Sequence, residues 1–155
     1  MVDEDGGLRS AVRIGVDLME TSRIAKIAAH PLGRRLVFSE RELAHSDSLG
    51  PERRLEYLAG RFCAKEATAK ALGAGLGQGL VWREIEVLGD AHGAPRVSLS
   101  GGAAAIAVRR ELSWIDLSLS HQAGMVICVA LARQGPARSD AAGRGGSTRK
   151  TDEWT

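Results

Sequence analysis

The stretch Arg61–Lys70, RFCAKEATAK, lies within the longest helical pattern of the chain, Glu52–Leu72. Apolar residues recur there at spacings of three and four, which predicts an amphipathic helix with one face in the core. Its charged residues have their own spacing, because Glu66 and Lys70 form an i, i+4 pair. Alanine and glycine fill many other positions, so a second backbone or a ligand can come close. The segment is therefore either a salt-bridged surface or the wall of a site.

Shorter patterns on both sides of this helix predict strands and further helices. Val12–Asp17 alternates apolar with other residues, as a strand does, and Leu18–Ala29 then has a helical period that ends at the His30-Pro31 step. A capping-box pattern over residues 39–42 opens a short helix to about Ser46. The remaining predictions are strands at Glu84–Leu88, Arg96–Leu99, Trp114–Ser120 and Met125–Ala132, with an Ala-rich helix at Gly102–Leu112. This order predicts an α+β fold, in which a small and mostly antiparallel sheet packs with helices.

The chain length of 155 residues fits one domain with flanking segments. Residues 133–155 are rich in glycine, serine and charge and show no periodicity, so they cannot bury enough apolar surface to offset the entropy of ordering. The first residues have a similar character. We therefore expect a flexible segment at 1–10, a folded domain at 11–132 and a disordered tail at 133–155.

The charge balance and the apolar runs exclude several classes of function. Lys and Arg number 21 against 19 Asp and Glu, a net charge of +2, which argues against binding a polyphosphate backbone. The longest apolar run, Met125–Ala132, is too short to span a bilayer, and the acidic start is unlike a signal peptide. Cys63 and Cys128 lie in apolar segments, which favours two buried thiols over one disulfide. We expect a cytoplasmic protein with no nucleic-acid or membrane partner.

Two further polar residues lie at predicted strand ends. Asp17 ends the first strand, and His121 follows Ser120 where a later strand meets a turn. Alone, Asp17 is typical of a solvated carboxylate, and a single histidine in this position is as often structural as functional. The chain has no His-x-x-x-His or cysteine-pair spacing for zinc, no Gly-x-Ser-x-Gly elbow and no glycine-rich loop that opens a helix.

Several segments indicate a function in combination because of the order in which they occur. They are Ile14–Asp17 with Arg23-Ile24, Phe38 with Glu42-Leu43, Leu58–Gly75, Ile85–Val87, Gly93–Pro95 and Leu117–His121. In this order they resemble the short, holo-acyl-carrier-protein synthase branch of the 4′-phosphopantetheinyl transferase family. The resemblance covers about residues 12–132, and Phe62–Lys70 is its most specific part.

The resemblance implies a magnesium-dependent transfer reaction and a fold of that family. Its members move the 4′-phosphopantetheine group of coenzyme A to a serine hydroxyl of an apo acyl carrier protein and release adenosine 3′,5′-bisphosphate. Asp17 and Glu66 match the carboxylates that hold Mg²⁺, a cation that prefers hard oxygen ligands. Lys70 is expected at the transferring phosphate, and Glu66 is the better candidate for the general base. Both fatty acid and polyketide carriers are compatible.

The remaining site predictions concern the coenzyme. Arg61 and Lys65 are expected to bind its other phosphates or to form an ion pair, and His121 is expected to contact the coenzyme or its phosphates and is included among the catalytic candidates. Some family members carry an acid after this histidine. Here that position is Gln122, which cannot accept a proton, so a carboxylate role is absent there.

The resemblance also implies partners. Short family members form homotrimers with sites between subunits, and the alternating strand Trp114–Ser120 offers apolar residues to a neighbour. The matching helix of the family binds the carrier, so we expect a basic face to dock it by electrostatic steering. That face comprises Arg23, Lys26, Arg34 and Arg35. Two alternatives remain open: a catalytically silent member that binds coenzyme A or a carrier, and a small trimeric scaffold.

Overall fold

A computed structural model describes residues 12–75 and 78–135 of the chain. The expected flexible segment at 1–10 and nearly all of the expected tail lie outside the described residues. In chain order the elements are β1 (Val12–Glu20), α1 (Thr21–Ala29), α2 (Pro31–Val37), α3 (Glu40–Asp47), α4 (Pro51–Leu72), β2 (Ile85–Gly89), β3 (Pro95–Leu99), α5 (Gly101–Arg109), β4 (Leu112–Gln122) and β5 (Met125–Gln134).

The long helix α4 and a three-stranded sheet form the centre of the fold. The sheet has the order β1-β5-β4 with antiparallel pairing throughout, and β2 and β3 form a separate antiparallel hairpin. The apolar positions of α4 pack on the inner face of β5, and the residues at this contact include Leu58, Cys63, Ala67, Val126, Cys128 and Ala130, all essentially buried. The predicted α+β fold with a small antiparallel sheet is confirmed.

The first strand lies directly against the backbone of α4. A Cβ atom added at Gly15 would lie 2.6 Å from the Ala71 nitrogen and closer still to the Ala67 carbonyl oxygen. Only glycine leaves room for this approach. Because Gly15 and Asp17 point to the same face of β1, the close contact also brings Asp17 beside the last turns of α4.

Some element boundaries differ from those predicted. β1 continues three residues past Asp17, because Leu18, Met19 and Glu20 pair with the start of β5. Asp17 therefore lies inside the strand and not at its end. Helix α2 was not predicted, since it is only seven residues long; its Pro31 takes the first position, and the His30 side chain accepts a hydrogen bond from the Gly33 backbone.

The C-terminal elements also shift slightly. Helix α5 ends at Arg109, earlier than predicted, because Glu111 has a positive φ of 55° and β4 already begins at Leu112. Strand β5 extends to Gln134, two residues past the expected end of the domain at 132.

The outer face of the sheet is apolar and exposed along two strands. Its exposed members, on β1 and β5, are Val12, Ile14, Val16, Leu18, Ile127 and Val129. The apolar residues of β4 point the other way, since Ile115, Leu117 and Leu119 pack against the core. In the single chain the apolar residues of Trp114–Ser120 are thus partly covered by the core, and more fully exposed apolar side chains lie on β1 and β5.

No helix of the described part is both long and apolar enough to cross a membrane.

Candidate active site

Asp17 and Lys70 meet across the contact between β1 and α4. The Lys70 ammonium lies 2.9 Å from one carboxylate oxygen of Asp17 and donates a second hydrogen bond, of 2.7 Å, to the Val16 carbonyl oxygen. The Asp17 side chain is 17% exposed, whereas that of Lys70 is half exposed. The structure therefore brings together two of the predicted site residues, which lie 53 residues apart in the sequence.

Glu66 lies one turn before Lys70 on α4 and belongs to the same cluster. Burial raises the pKa of Glu66, and the negative charge of Asp17 raises it further, while Lys70 and Arg23 oppose the shift. The charge of Asp17 thus affects Glu66 across the β1–α4 contact, and the Lys70 ammonium forms an ion pair with Asp17. This pair of hard oxygen donors suits Mg²⁺, which takes one or two carboxylates and completes its shell with phosphate oxygens and water. No group of three or more ligating side chains occurs in the part of the chain that the structure describes.

Arg61 and His121 line a separate cavity of about 400 Å³ between α4, the β2–β3 turn and the end of β4. Arg53 lines the same cavity. The Arg61 guanidinium lies 4.3 Å from the ring centre of Tyr57, and its Nε is buried without a hydrogen-bond partner among the described residues. The cavity therefore presents two guanidinium groups and an imidazole, together with the carboxylate of Glu56, and the cationic groups outnumber the single acid.

Arg53 is a residue that sequence reasoning missed. It precedes Tyr57 by four residues and Arg61 by eight, so the three follow one row along α4. That spacing was a usable signal, because the predicted helix Glu52–Leu72 already contained Arg53.

Lys65 does not face this cavity, and the prediction that it binds a coenzyme phosphate is wrong. Its side chain is fully buried and lies 2.8 Å from the equally buried Glu42 carboxylate. Its ammonium also donates to the carbonyl oxygens of Trp82 and Ile85. Of the two roles left open for Lys65, the ion pair is the one that the structure contains.

Glu42 in turn connects three elements. Its carboxylate accepts hydrogen bonds from the backbone of Ser39, as the predicted capping box requires, and from Val87 on β2. Together with Lys65 it therefore joins α3 and β2 to the middle of α4, one residue before Glu66.

The basic surface predicted on the early helices is present in part. Arg23 and Lys26 on α1 and Arg35 on α2 are exposed. Arg34 is not a free member of this surface, because it pairs with Asp47 at 2.5 Å and donates to Ser46 on α3. The hydrogen bond from Arg34 lowers the pKa of Asp47.

The basic surface adjoins the carboxylates. The charge of Arg23 acts on Glu66, lowering its pKa against the effect of burial. Next to these cations, α2 also exposes two leucines, Leu32 and Leu36. Positive charge and apolar area thus lie together beside the Asp17–Glu66 pair.

A larger cavity, of about 820 Å³, lies between α3 and the turn before β2. Of the predicted site residues it contains only Arg35, and its other charged residues are of mixed sign.

The match to a family model decides the relationship. The model of the 4′-phosphopantetheinyl transferase superfamily matches residues 13–129. The chain belongs to this family. It is 40% identical to the holo-[acyl-carrier-protein] synthase of Geobacillus kaustophilus over 131 residues, which cover 81% of this chain and 92% of that one.

Solved structures of the family have the same fold. A holo-(acyl-carrier-protein) synthase from Bacillus anthracis, in complex with CoA (3′,5′-ADP), matches with a TM-score of 0.69 and 30% identity, covering 82% of this chain and all of that one. An ACPS–CoA complex from Chronobacterium ammoniagenes matches with a TM-score of 0.68 and 30% identity over 81% and 99% of the two chains. The predicted family and its fold are therefore confirmed.

Proposed function

We propose that this member of the family is a holo-[acyl-carrier-protein] synthase. It transfers the 4′-phosphopantetheine group of coenzyme A to a serine hydroxyl of an apo acyl carrier protein and leaves adenosine 3′,5′-bisphosphate. The observation that carries the proposal is the cluster of Asp17, Glu66 and Lys70, in which a lysine bridges β1 and α4 at 2.9 Å from a carboxylate. The relative named holo-[acyl-carrier-protein] synthase, which is 40% identical to this chain, supports the same activity.

Asp17 and Glu66 would hold a Mg²⁺ ion, which supplies positive charge to the pyrophosphate of the coenzyme during transfer. Lys70 adds a mobile ammonium beside them and can reach a phosphate oxygen, because half of its side chain is exposed. Glu66 accepts the proton of the carrier serine. Burial raises the pKa of the metal-free Glu66 carboxyl, which favours proton uptake, whereas a bound Mg²⁺ would lower it.

The coenzyme extends from this cluster toward the cavity that contains Arg61 and His121. Guanidinium groups bind phosphate through paired N–H donors, and both Arg53 and Arg61 face this space. His121, with its neighbour Gln122 at the exposed end of β4, contacts the coenzyme there.

The carrier docks on the exposed cations of α1 and α2. An acidic carrier protein would be steered to Arg23, Lys26 and Arg35 electrostatically. Leu32 and Leu36 add apolar contact area on α2. Because Arg23 also acts on Glu66, a carrier held here presents its serine near the base.

The protein assembles as a homotrimer through the outer face of the sheet. Ile14 and Leu18 on β1 are 63% and 57% exposed, and Ile127 and Val129 on β5 continue the same apolar surface. Contiguous apolar strands of this kind mark protein interfaces. A cytoplasmic location accords with two free thiols, both buried, at Cys63 and Cys128.

The decisive experiment incubates the protein with apo carrier protein, coenzyme A and Mg²⁺ and follows the mass of the carrier. We expect the phosphopantetheine mass on the carrier, and its loss when Asp17 is changed to Asn. If none of several carriers gains mass, with or without metal, the transfer activity is contradicted. The alternatives that then remain are a catalytically silent family member and a trimeric scaffold.

A further inference from the structure

The ammonium of Lys70 is held at β1 by two acceptors. It donates to the Asp17 carboxylate at 2.9 Å and to the Val16 carbonyl oxygen at 2.7 Å. It therefore crosses to β1, although Glu66 is its i−4 neighbour on α4. One carboxylate oxygen of Asp17 is committed to this contact.

The two partners differ in their freedom to separate. Asp17 is on a strand held down by Gly15, and its side chain is only 17% exposed. The Lys70 side chain is half exposed and has four rotatable bonds, so it can swing away while Asp17 stays. A second cation placed at Asp17 would repel the ammonium, since like charges at contact distance cannot share one carboxylate without cost.

We propose that Lys70 competes with the divalent cation for Asp17, and that the coenzyme relieves this competition by offering the ammonium a phosphate oxygen. The inference rests on the proposed function, which supplies both cation and coenzyme. Free protein then binds the bare cation weakly. Cation and coenzyme strengthen each other's binding, and by linkage the effect is equal in both directions. Lys70 adds to the coupling that phosphate oxygens bound to the cation already provide.

The test measures Mn²⁺ binding by electron paramagnetic resonance of the free ion, without carrier protein, so that no transfer takes place. Lys70→Met removes the competing charge. We expect this variant to bind Mn²⁺ alone at least about threefold more tightly than the parent, as the loss of a half-exposed ion pair predicts. Saturating coenzyme A should tighten Mn²⁺ binding in both proteins, and by about threefold more in the parent than in Lys70→Met.

Two further variants separate charge from structure. Arg109→Met removes one exposed cation from α5 and should leave both affinities at the parent value. Lys70→Arg keeps the charge and should restore weak binding of the bare ion. A thermal melt of each variant shows that it is folded.

The outcomes distinguish a failure of the competition from a failure of the metal site. If the parent binds Mn²⁺ and Lys70→Met binds it equally or more weakly, the competition is wrong and the metal site stands. If the parent binds no Mn²⁺, with or without coenzyme A, both the metal assignment and the competition are wrong.

Discussion

Lys65 and Glu66 are neighbours in the chain, yet their side chains point to different parts of the structure. Lys65 turns inward to the Glu42 carboxylate and two backbone carbonyl oxygens, and Glu66 lies beside Asp17 at the edge of the fold. A buried ion pair contributes little net stability over an apolar pair of the same shape, but removing one partner leaves an uncompensated charge.

Lys65→Met should therefore lower the free energy of unfolding by about 3–5 kcal/mol, because the buried Glu42 side chain loses its cationic partner. Urea denaturation of the two proteins measures the difference. Arg41→Met is a matched control, since it breaks a pair with Glu86 at an exposed position and should cost less than about 1 kcal/mol.

A second variant tests the cause. Lys65→Met with Glu42→Gln removes the stranded charge and keeps one of the two acceptor oxygens that the Ser39 and Val87 backbones use. It should regain part of the lost stability, and a double variant less stable than Lys65→Met would contradict the electrostatic explanation.

The raised pKa of Glu66 implies that its charge opposes folding. The folded state holds the Glu66 proton above the ordinary pKa of 4.5, so between 4.5 and the higher folded value it binds more protons than the unfolded chain. Stability is lost as pH rises through that interval, and the deficit persists at neutral pH.

Glu66→Gln should thus melt at a higher temperature than the parent near pH 7.5 in the presence of a chelator, while transfer falls by about 100-fold or more. Each 1 kcal/mol regained corresponds to about 4 °C in a domain of this size. Below pH 4.5 the two melting temperatures should converge. A variant that is less stable at neutral pH would show that Glu66 is structural.

At the scale of elements, the contact between β1 and α4 sets the site. Gly15 lets the strand reach the helix backbone, and the strand then carries Asp17 to Lys70. The β1–α4 contact therefore depends on the missing side chain of Gly15.

Gly15→Ala should destabilise the protein by several kcal/mol, about 3 or more, because its Cβ would overlap the backbone of Ala67 and Ala71. Thermal or urea unfolding measures the loss. Gly75→Ala is the control, since nothing lies within 4 Å of its added Cβ, and it should shift stability by about 0.5 kcal/mol or less.

Helix α1 permits a similar test of carrier docking. Arg23→Glu should raise the KM for the carrier several-fold, about tenfold at low salt, and change the KM for coenzyme A much less. The effect should shrink as salt rises. Arg109→Glu on α5 makes the same charge change elsewhere, and an equal effect of both variants would mean that net charge alone is responsible.

The sequence predicts elements and site residues unequally, for physical reasons. Asp17, Glu66 and Lys70 could be chosen because they lie in contiguous motifs, and the structure brings them together. The sequence could not decide whether Lys65 binds a phosphate or forms an ion pair, because the direction of its side chain depends on where α3 and β2 pack. The short α2 has too few residues to show a period.

The face of the sheet to which the apolar residues of β4 point could not be predicted for a similar reason. Its apolar and polar residues alternate in either orientation, and only the packing of α4 decides that Leu117 and Leu119 face inward. The family, by contrast, rests on the whole ordered set of segments, and its prediction is confirmed by the match over residues 13–129.

At the scale of the whole molecule, the outer sheet face is where subunits would meet. Ile14→Asp places a charge in the middle of this face and should convert a trimer to monomers, as measured by sedimentation velocity. Val108→Asp on α5 is the control, because that side chain is 76% exposed outside the sheet. A parent that sediments as a monomer would contradict the assembly.

Both cysteines of the chain are closed to reagents. Burial raises the pKa of Cys63 to about 12 and that of Cys128 to about 11, and the Cys63 thiol donates to the Asp17 carbonyl oxygen. At neutral pH almost no thiolate is present on either residue. A maleimide dye can therefore label the thiol of the transferred phosphopantetheine group while the enzyme remains unlabelled. The wild-type sequence can be used in such an assay, and no cysteine-free variant is needed.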